Sequence, residues 1–142
     1  MDQPIAGFGW YIKRIDNALA KEANHNLQSH NITQQQAHAL VILAHSPDHV
    51  LPLKELESRF GAAQSTVAGL VARLEKKGLV EALHDPGDKR IKLVRLTEDG
   101  LAMHKACHQD VVNSESRLTA LLSPEEKEQL LEILQKLYEA VK

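Results

Sequence analysis

LKELESRFGAAQSTVAGLVARLEKKGLVEALHDPGDKRIKLVRLTEDG, residues 53–100, passes from helical to strand periodicity in under fifty positions. Leu53, Leu56 and Phe60 fall on one side of a short helix, and Gly61 breaks it. From Gln64 to Lys77 a second stripe runs through Val67, Leu70, Val71 and Leu74. Gly78 stands where a left-handed C-cap is usual. Two short helices joined by a glycine-containing turn form a helix-turn-helix unit. Then Leu79–Leu83 and Ile91–Leu96 flank the turn residues Asp85-Pro86-Gly87-Asp88-Lys89. Ile91–Leu96 alternates apolar and charged positions, the period of a half-buried strand. A helix-turn-helix followed directly by a β-hairpin is a winged helix.

Four more helices and one connecting loop flank this unit. Phe8, Ile12, Ile15, Leu19, Ala23 and Leu27 recur at three- and four-residue steps, predicting a helix from about Ile5 to Ser29. Thr33-Gln34-Gln35-Gln36 has the form of a capping box, so a second helix starts there and stops near Pro47. His45–Pro52 reads as a loop. Thr97-Glu98-Asp99 caps a helix that runs to about Leu122. Ser123-Pro124-Glu125-Glu126 opens the last one, with the stripe Leu130, Ile133, Leu134, Leu137 and Val141. The expected class is mainly α with a small β-hairpin wing: a winged helix-turn-helix at 47–97, flanked by helical regions at 1–46 and 98–142.

Composition sets the outer limits. The chain has 142 residues, 43% hydrophobic and 25% charged, which is one globular domain's worth. No apolar run reaches the length of a membrane span. Met1-Asp2-Gln3-Pro4 lacks a signal-peptide layout, and the single cysteine, Cys107, excludes an internal disulfide. Both point to the cytoplasm. The net charge of −2 argues at first against nucleic acid. Its distribution argues the other way. Residues 73–95 carry seven basic side chains (Arg73, Lys76, Lys77, Lys89, Arg90, Lys92, Arg95) against four acidic ones, a local +3 between acidic arms. Read plainly, that segment is a solvated face of mixed charge.

The chemistry of duplex recognition fits particular residues. The major groove admits one helix, and the N-terminal residues of that helix reach base edges. Here these are Gln64, Ser65 and Thr66, with Ala68 and Gly69 next along the exposed face. Gln pairs bidentately with adenine, and Ser or Thr bonds bases or phosphates. Gly69 weakens its helix by about 0.5–1 kcal/mol relative to Ala. Either a close backbone approach to DNA or tight packing against a neighbouring helix would offset that. Arg73, one turn on, is placed for a phosphate. At the hairpin tip, Lys89 and Arg90 face the minor groove or its phosphates, and Asp88 is spaced to orient the Arg90 guanidinium. The bland alternative is a solvated turn with a local ion pair.

These residues resemble a known family. Leu53-Lys-Glu-Leu-Glu-x3-Gly61, then Ser65-Thr66-Val67-x-Gly-Leu-Val71-x-Arg73-Leu74-Glu75-x-Lys77-Gly78-Leu79-Val80, then Asp85-x2-Asp88-x-Arg90-x5-Leu96-Thr97-x2-Gly100, is similar to the MarR family of bacterial transcription regulators. The flanking helices agree in number, order and length. The resemblance implies a homodimer whose N- and C-terminal helices interlock and whose winged helices bind the half-sites of a palindrome. The end helices carry apolar residues on more than one face, including Trp10, Tyr11, Leu131 and Tyr138, which agrees. It implies repression relieved by a small aromatic or lipophilic effector, with no cofactor. The sequence departs from the pattern at Ala63, where Ser or Thr usually caps the recognition helix, and at Ala68 and Ala82, where polar or basic residues are common. Fewer phosphate contacts make the expected salt dependence shallower.

The residues give other functional classes less support. No Gly-rich phosphate loop, Gly-x-Ser-x-Gly or His-Glu-x-x-His is present, so enzyme chemistry has no support. A winged-helix interaction module that has lost DNA binding has no reason to keep Asp88 and Arg90 together. A zinc-responsive regulator is a further alternative, since His104 and His108 sit one turn apart and His38 on the second helix could join them. Ordinary polar-face histidines are the plainer reading. Cys107, beside an apolar stripe, reads as a packing residue.

Overall fold

The structure is a computed structural model that describes residues 6–142. Ile5, the expected start of the first helix, lies outside the described residues. The elements are α1 (Phe8–Ser29), α2 (Gln34–Ala44), β1 (Val50–Pro52), α3 (Leu53–Phe60), α4 (Gln64–Lys76), β2 (Val80–His84), β3 (Lys92–Leu96), α5 (Glu98–Leu118) and α6 (Pro124–Val141). Two compact units divide the chain, one up to Asp110 and one from Val111.

Local chemistry accounts for the helix starts. Thr33 Oγ1 accepts from the Gln36 backbone N–H, and Gln36 Oε1 accepts from that of Thr33, a complete capping box. Ser123 and Glu126 form a second one at α6. Thr97 Oγ1 accepts from Gly100 N–H at the start of α5 and donates to the Gly78 carbonyl. α4 ends in a Schellman motif: Gly78 N–H bonds the Glu75 carbonyl and Leu79 N–H that of Leu74, with Gly78 at φ +75°.

The expected loop at 45–52 is corrected. Pro47–His49 is a tight turn in which Asp48 and His49 take the left-handed conformation, at φ +55° and +59°, and Val50–Pro52 is a strand paired antiparallel with β3. The sheet is therefore three-stranded, in the order β1-β3-β2, where a two-stranded hairpin was expected. Three residues are too few to show a period of two, and prolines at both ends disguise them. Pro52 is tolerated because β1 is an edge strand. α5 ends at Leu118, four residues before the expected Leu122.

The core lies in the first unit. Ile32, Ala39, Leu40, Leu43, Leu51, Leu56, Val67, Leu70, Val71, Leu74, Leu79, Val80, Val94 and Leu96 pack as one cluster, with Leu101, Met103 and Cys107 of α5 against it. Gly100 makes one junction possible. A Cβ there would lie 2.0 Å from the Leu79 carbonyl oxygen and 2.6 Å from Leu96 Cδ1, so only glycine lets α5 come this close. In the second unit, α6 buries no residue.

Candidate nucleic-acid interface

The inner face of α4 is fixed by Val67, Leu70, Val71 and Leu74, all buried. Helical geometry then turns Gln64, Ser65, Thr66, Ala68 and Arg73 outward, and all five are exposed. Ala63 is the N-cap and offers no side-chain bond; its carbonyl accepts from the Thr66 and Val67 N–H groups at 3.0 and 3.1 Å. Gly69 is half-buried, but a Cβ there would meet only Arg73 Nη1 at 3.8 Å, an ordinary contact. Among the described residues, then, no neighbouring helix demands a glycine at this point.

The wing tip is built by short-range bonds. Asp85 Oδ1 accepts from Gly87 N–H at 2.7 Å and from Asp88 N–H at 3.3 Å. Asp85 N–H bonds the Ile91 carbonyl, and Ile91 N–H bonds that of Asp88. Asp88 in turn holds Arg90 three ways, accepting from its backbone N–H and Nε at Oδ1 and from Nη2 at Oδ2, each at 3.0 Å. The Arg90 side chain is nonetheless 90% exposed. Its guanidinium, followed by its backbone N–H, holds the Asp88 carboxyl below its ordinary pKa, and the same pair raises that of Arg90. The result is an exposed cation on a defined bearing, with donor edges still open to solvent. Lys89, beside it, is exposed.

Two contacts that no local sequence signal announces fix α4 in place. Glu75 Oε2 accepts from the Ala82 N–H at 2.9 Å, on the outer edge of β2. Lys77 Nζ donates to the Asn31 carbonyl at 2.6 Å and to Gln36 Oε1 at 2.8 Å. Of the seven basic residues counted in the +3 segment, Lys77 thus turns toward the protein, and Arg95 pairs with Glu81 directly across the sheet. Arg73, Lys76, Lys89 and Lys92 have no ion pair among the described residues.

The histidines group differently from the trio that the zinc alternative names. His104 and His108 stack with centroids 6.3 Å apart, but the third ring is His45, 5.7 Å from His104. His38 packs on Phe60 instead, at 5.1 Å. Among the described residues no group of three or more His, Cys, Asp or Glu side chains is arranged to hold a metal ion. The Cys107 thiol is half-buried, and burial, then the Asp110 charge, pushes its pKa up, away from the reactive thiolate. No described helix is long and apolar enough to cross a membrane.

Comparison with known proteins agrees with this geometry. The MarR family model matches residues 32–92. The homoprotocatechuate degradative operon repressor of Escherichia coli is 28% identical over 109 residues, 77% of this chain and 72% of that protein. A variant of S. aureus MepR superposes with a TM-score of 0.86 at 26% identity, over 96% of this chain and 99% of the other. Another MepR variant, solved bound to an oligodeoxyribonucleotide, gives 0.78 at 28% identity over the same shares. The helix-turn-helix, the wing and these likenesses make the chain similar, in sequence and in fold, to the MarR family of DNA-binding transcription regulators.

Proposed function

We propose that the chain works in the cytoplasm as a homodimeric repressor on a palindromic operator, with one winged helix per half-site. Gln64, Ser65 and Thr66 read base edges in the major groove. Ala68 and Gly69 allow the backbone close to the duplex. Arg73 meets a phosphate, and Lys89 with the Asp88-oriented Arg90 reaches the adjacent minor groove. The observation that carries this reading is the pairing of an uncovered α4 face with an Arg90 guanidinium held rigid yet exposed. Dimerisation draws support from the apolar side chains left in solvent on α1 and α6, among them Phe8, Ile12, Leu131, Leu134 and Leu137. Release by a small aromatic or lipophilic effector draws support from relatives: one represses a degradative operon for an aromatic acid, and MepR has been solved with ethidium.

The test is binding to a labelled duplex spanning the DNA beside the protein's own gene. Arg90→Ala weakens binding to every duplex. Gln64→Ala changes which sequence is preferred, by about 1–3 kcal/mol at the affected base pair. Absence of salt-dependent binding to any duplex overturns the assignment of this interface.

A further inference from the structure

We propose that Lys77 is a positioning residue for DNA recognition. Its ammonium clasps the C-terminal end of α4 to the α1–α2 turn and so sets the angle at which the reading face meets the duplex. The inference rests on the α4 interface described above.

Lys77 is the C-cap of α4. Its two acceptors lie 46 and 41 positions away in sequence, on a turn that is itself tightly held. Asn31 has φ +54°, the left-handed conformation, which aims its carbonyl out of the helical path. His30, just before it, is tied to α5 through Asp110, with Nε2 and Oδ2 2.8 Å apart. Ile32, just after it, is buried in the core. Gln36 is buried at 4% exposure, and its Oε1 serves the capping box and Lys77 together. The clasp is therefore a charge-assisted pair of bonds onto a rigid anchor.

Glu75, two residues earlier, tethers the same end of α4 to the wing at Ala82. Together, the two tethers run from the last turn of α4 to the helical turn on one side and to the wing on the other. Gln64 lies thirteen residues before Lys77, about 20 Å along the helix axis. A tilt of about 10° at the clasp would displace the reading end by about 3 Å, more than a hydrogen bond to a base edge tolerates. Two of the three protons of this ammonium are thus committed to the protein, although the side chain lies at the surface.

Lys77→Met keeps the stem and removes the ammonium. Its binding is measured against the duplex that the unaltered protein selects from a randomised pool, between about 50 and 200 mM salt, at a temperature where both proteins are folded. The expected result is affinity weaker by about tenfold with an unchanged salt slope. Gln36→Glu retains the capping box and a stronger partner for Lys77, so it keeps operator affinity. Combined with Lys77→Met it leaves an unpaired buried carboxylate, and the loss exceeds the product of the single effects. A slope flattened by about 0.9 per subunit would make Lys77 a phosphate contact and overturn the proposal. So would unchanged affinity with only a lower Tm, which is the mark of a purely structural bond. If the unaltered protein selects no duplex at all, the interface reading fails first and this assignment falls with it.

Discussion

The winged-helix lobe and the end helices use apolar residues in opposite ways. Every buried apolar side chain among the described residues lies between Ile32 and Leu96. α1 and α6 bury none, although Phe8, Ile12, Ile15, Leu130, Leu134 and Leu137 recur on them at helical spacing. The lobe closes its own core around Leu40, Leu43, Leu56 and Leu74. The end helices leave an apolar stripe in water, and a stripe of that width is a surface that needs a second surface. One sequence therefore carries two kinds of surface: a lobe that closes its own core, and end helices whose apolar side chains are covered only in the proposed dimer.

That contrast is open to direct test. Leu40→Ala, in the lobe, lowers stability by about 2–5 kcal/mol at any protein concentration, read from the urea midpoint. In the proposed dimer Leu134→Ala, on α6, acts through association, so its midpoint shifts with protein concentration in a way that Leu40→Ala does not. A concentration-independent loss at Leu134 would mean that α6 closes a core within its own chain, and the contrast would break.

Two glycines give opposite signs for the same substitution. Gly100→Ala drives a Cβ against the Leu79 carbonyl oxygen, a backbone atom that cannot swing aside, and destabilises by about 3 kcal/mol. Gly9→Ala, on α1, meets nothing within 4 Å and leaves stability equal or slightly raised. Parallel urea titrations decide it; equal effects would show that the α5–Leu79 approach relaxes freely.

Gly69 sharpens the division within the lobe itself. Its Cβ space is open, so Gly69→Ala gains about 0.5–1 kcal/mol of helix stability. The same methyl stands on the face proposed to approach DNA, so duplex affinity falls while stability rises. A variant that gains on both counts would remove Gly69 from the interface.

What was legible in the sequence follows the range of the interaction that made it. The capping boxes at Thr33 and Ser123, the Schellman end at Gly78 and the Asp88–Arg90 pair are all set within five residues, and each was readable or nearly so. Gly100 stood in the quoted motif, but its reason, the Leu79 oxygen, comes from a contact 21 positions away. Glu75 and Lys77 stood in that motif too, read only as charges, because their partners Ala82, Asn31 and Gln36 are set by tertiary packing. β1 escaped because three residues carry no period. The zinc alternative separates by height rather than by face. His38 and His45 are seven residues apart, nearly in phase, but about 10 Å separated along α2, and periodicity gives no axial level.

That histidine group yields the smallest expected effect. Burial, then the neighbouring His45, His108 and Lys105 charges, hold the His104 pKa below its ordinary 6.5. As pH falls through 6.5, the unfolded chain takes up a proton at this position before the folded chain does. The stabilisation is therefore complete above 6.5 and is lost progressively as pH falls from there toward the depressed folded value. His45 Nδ1 lies 2.9 Å from the Val41 carbonyl, which keeps its ring beside His104. His104→Gln should flatten the fall in urea midpoint between about pH 7.5 and about pH 5.5 while leaving the midpoint at the upper end nearly unchanged. An unaltered slope in the variant would move the acid sensitivity of the lobe away from the α2–α5 contact.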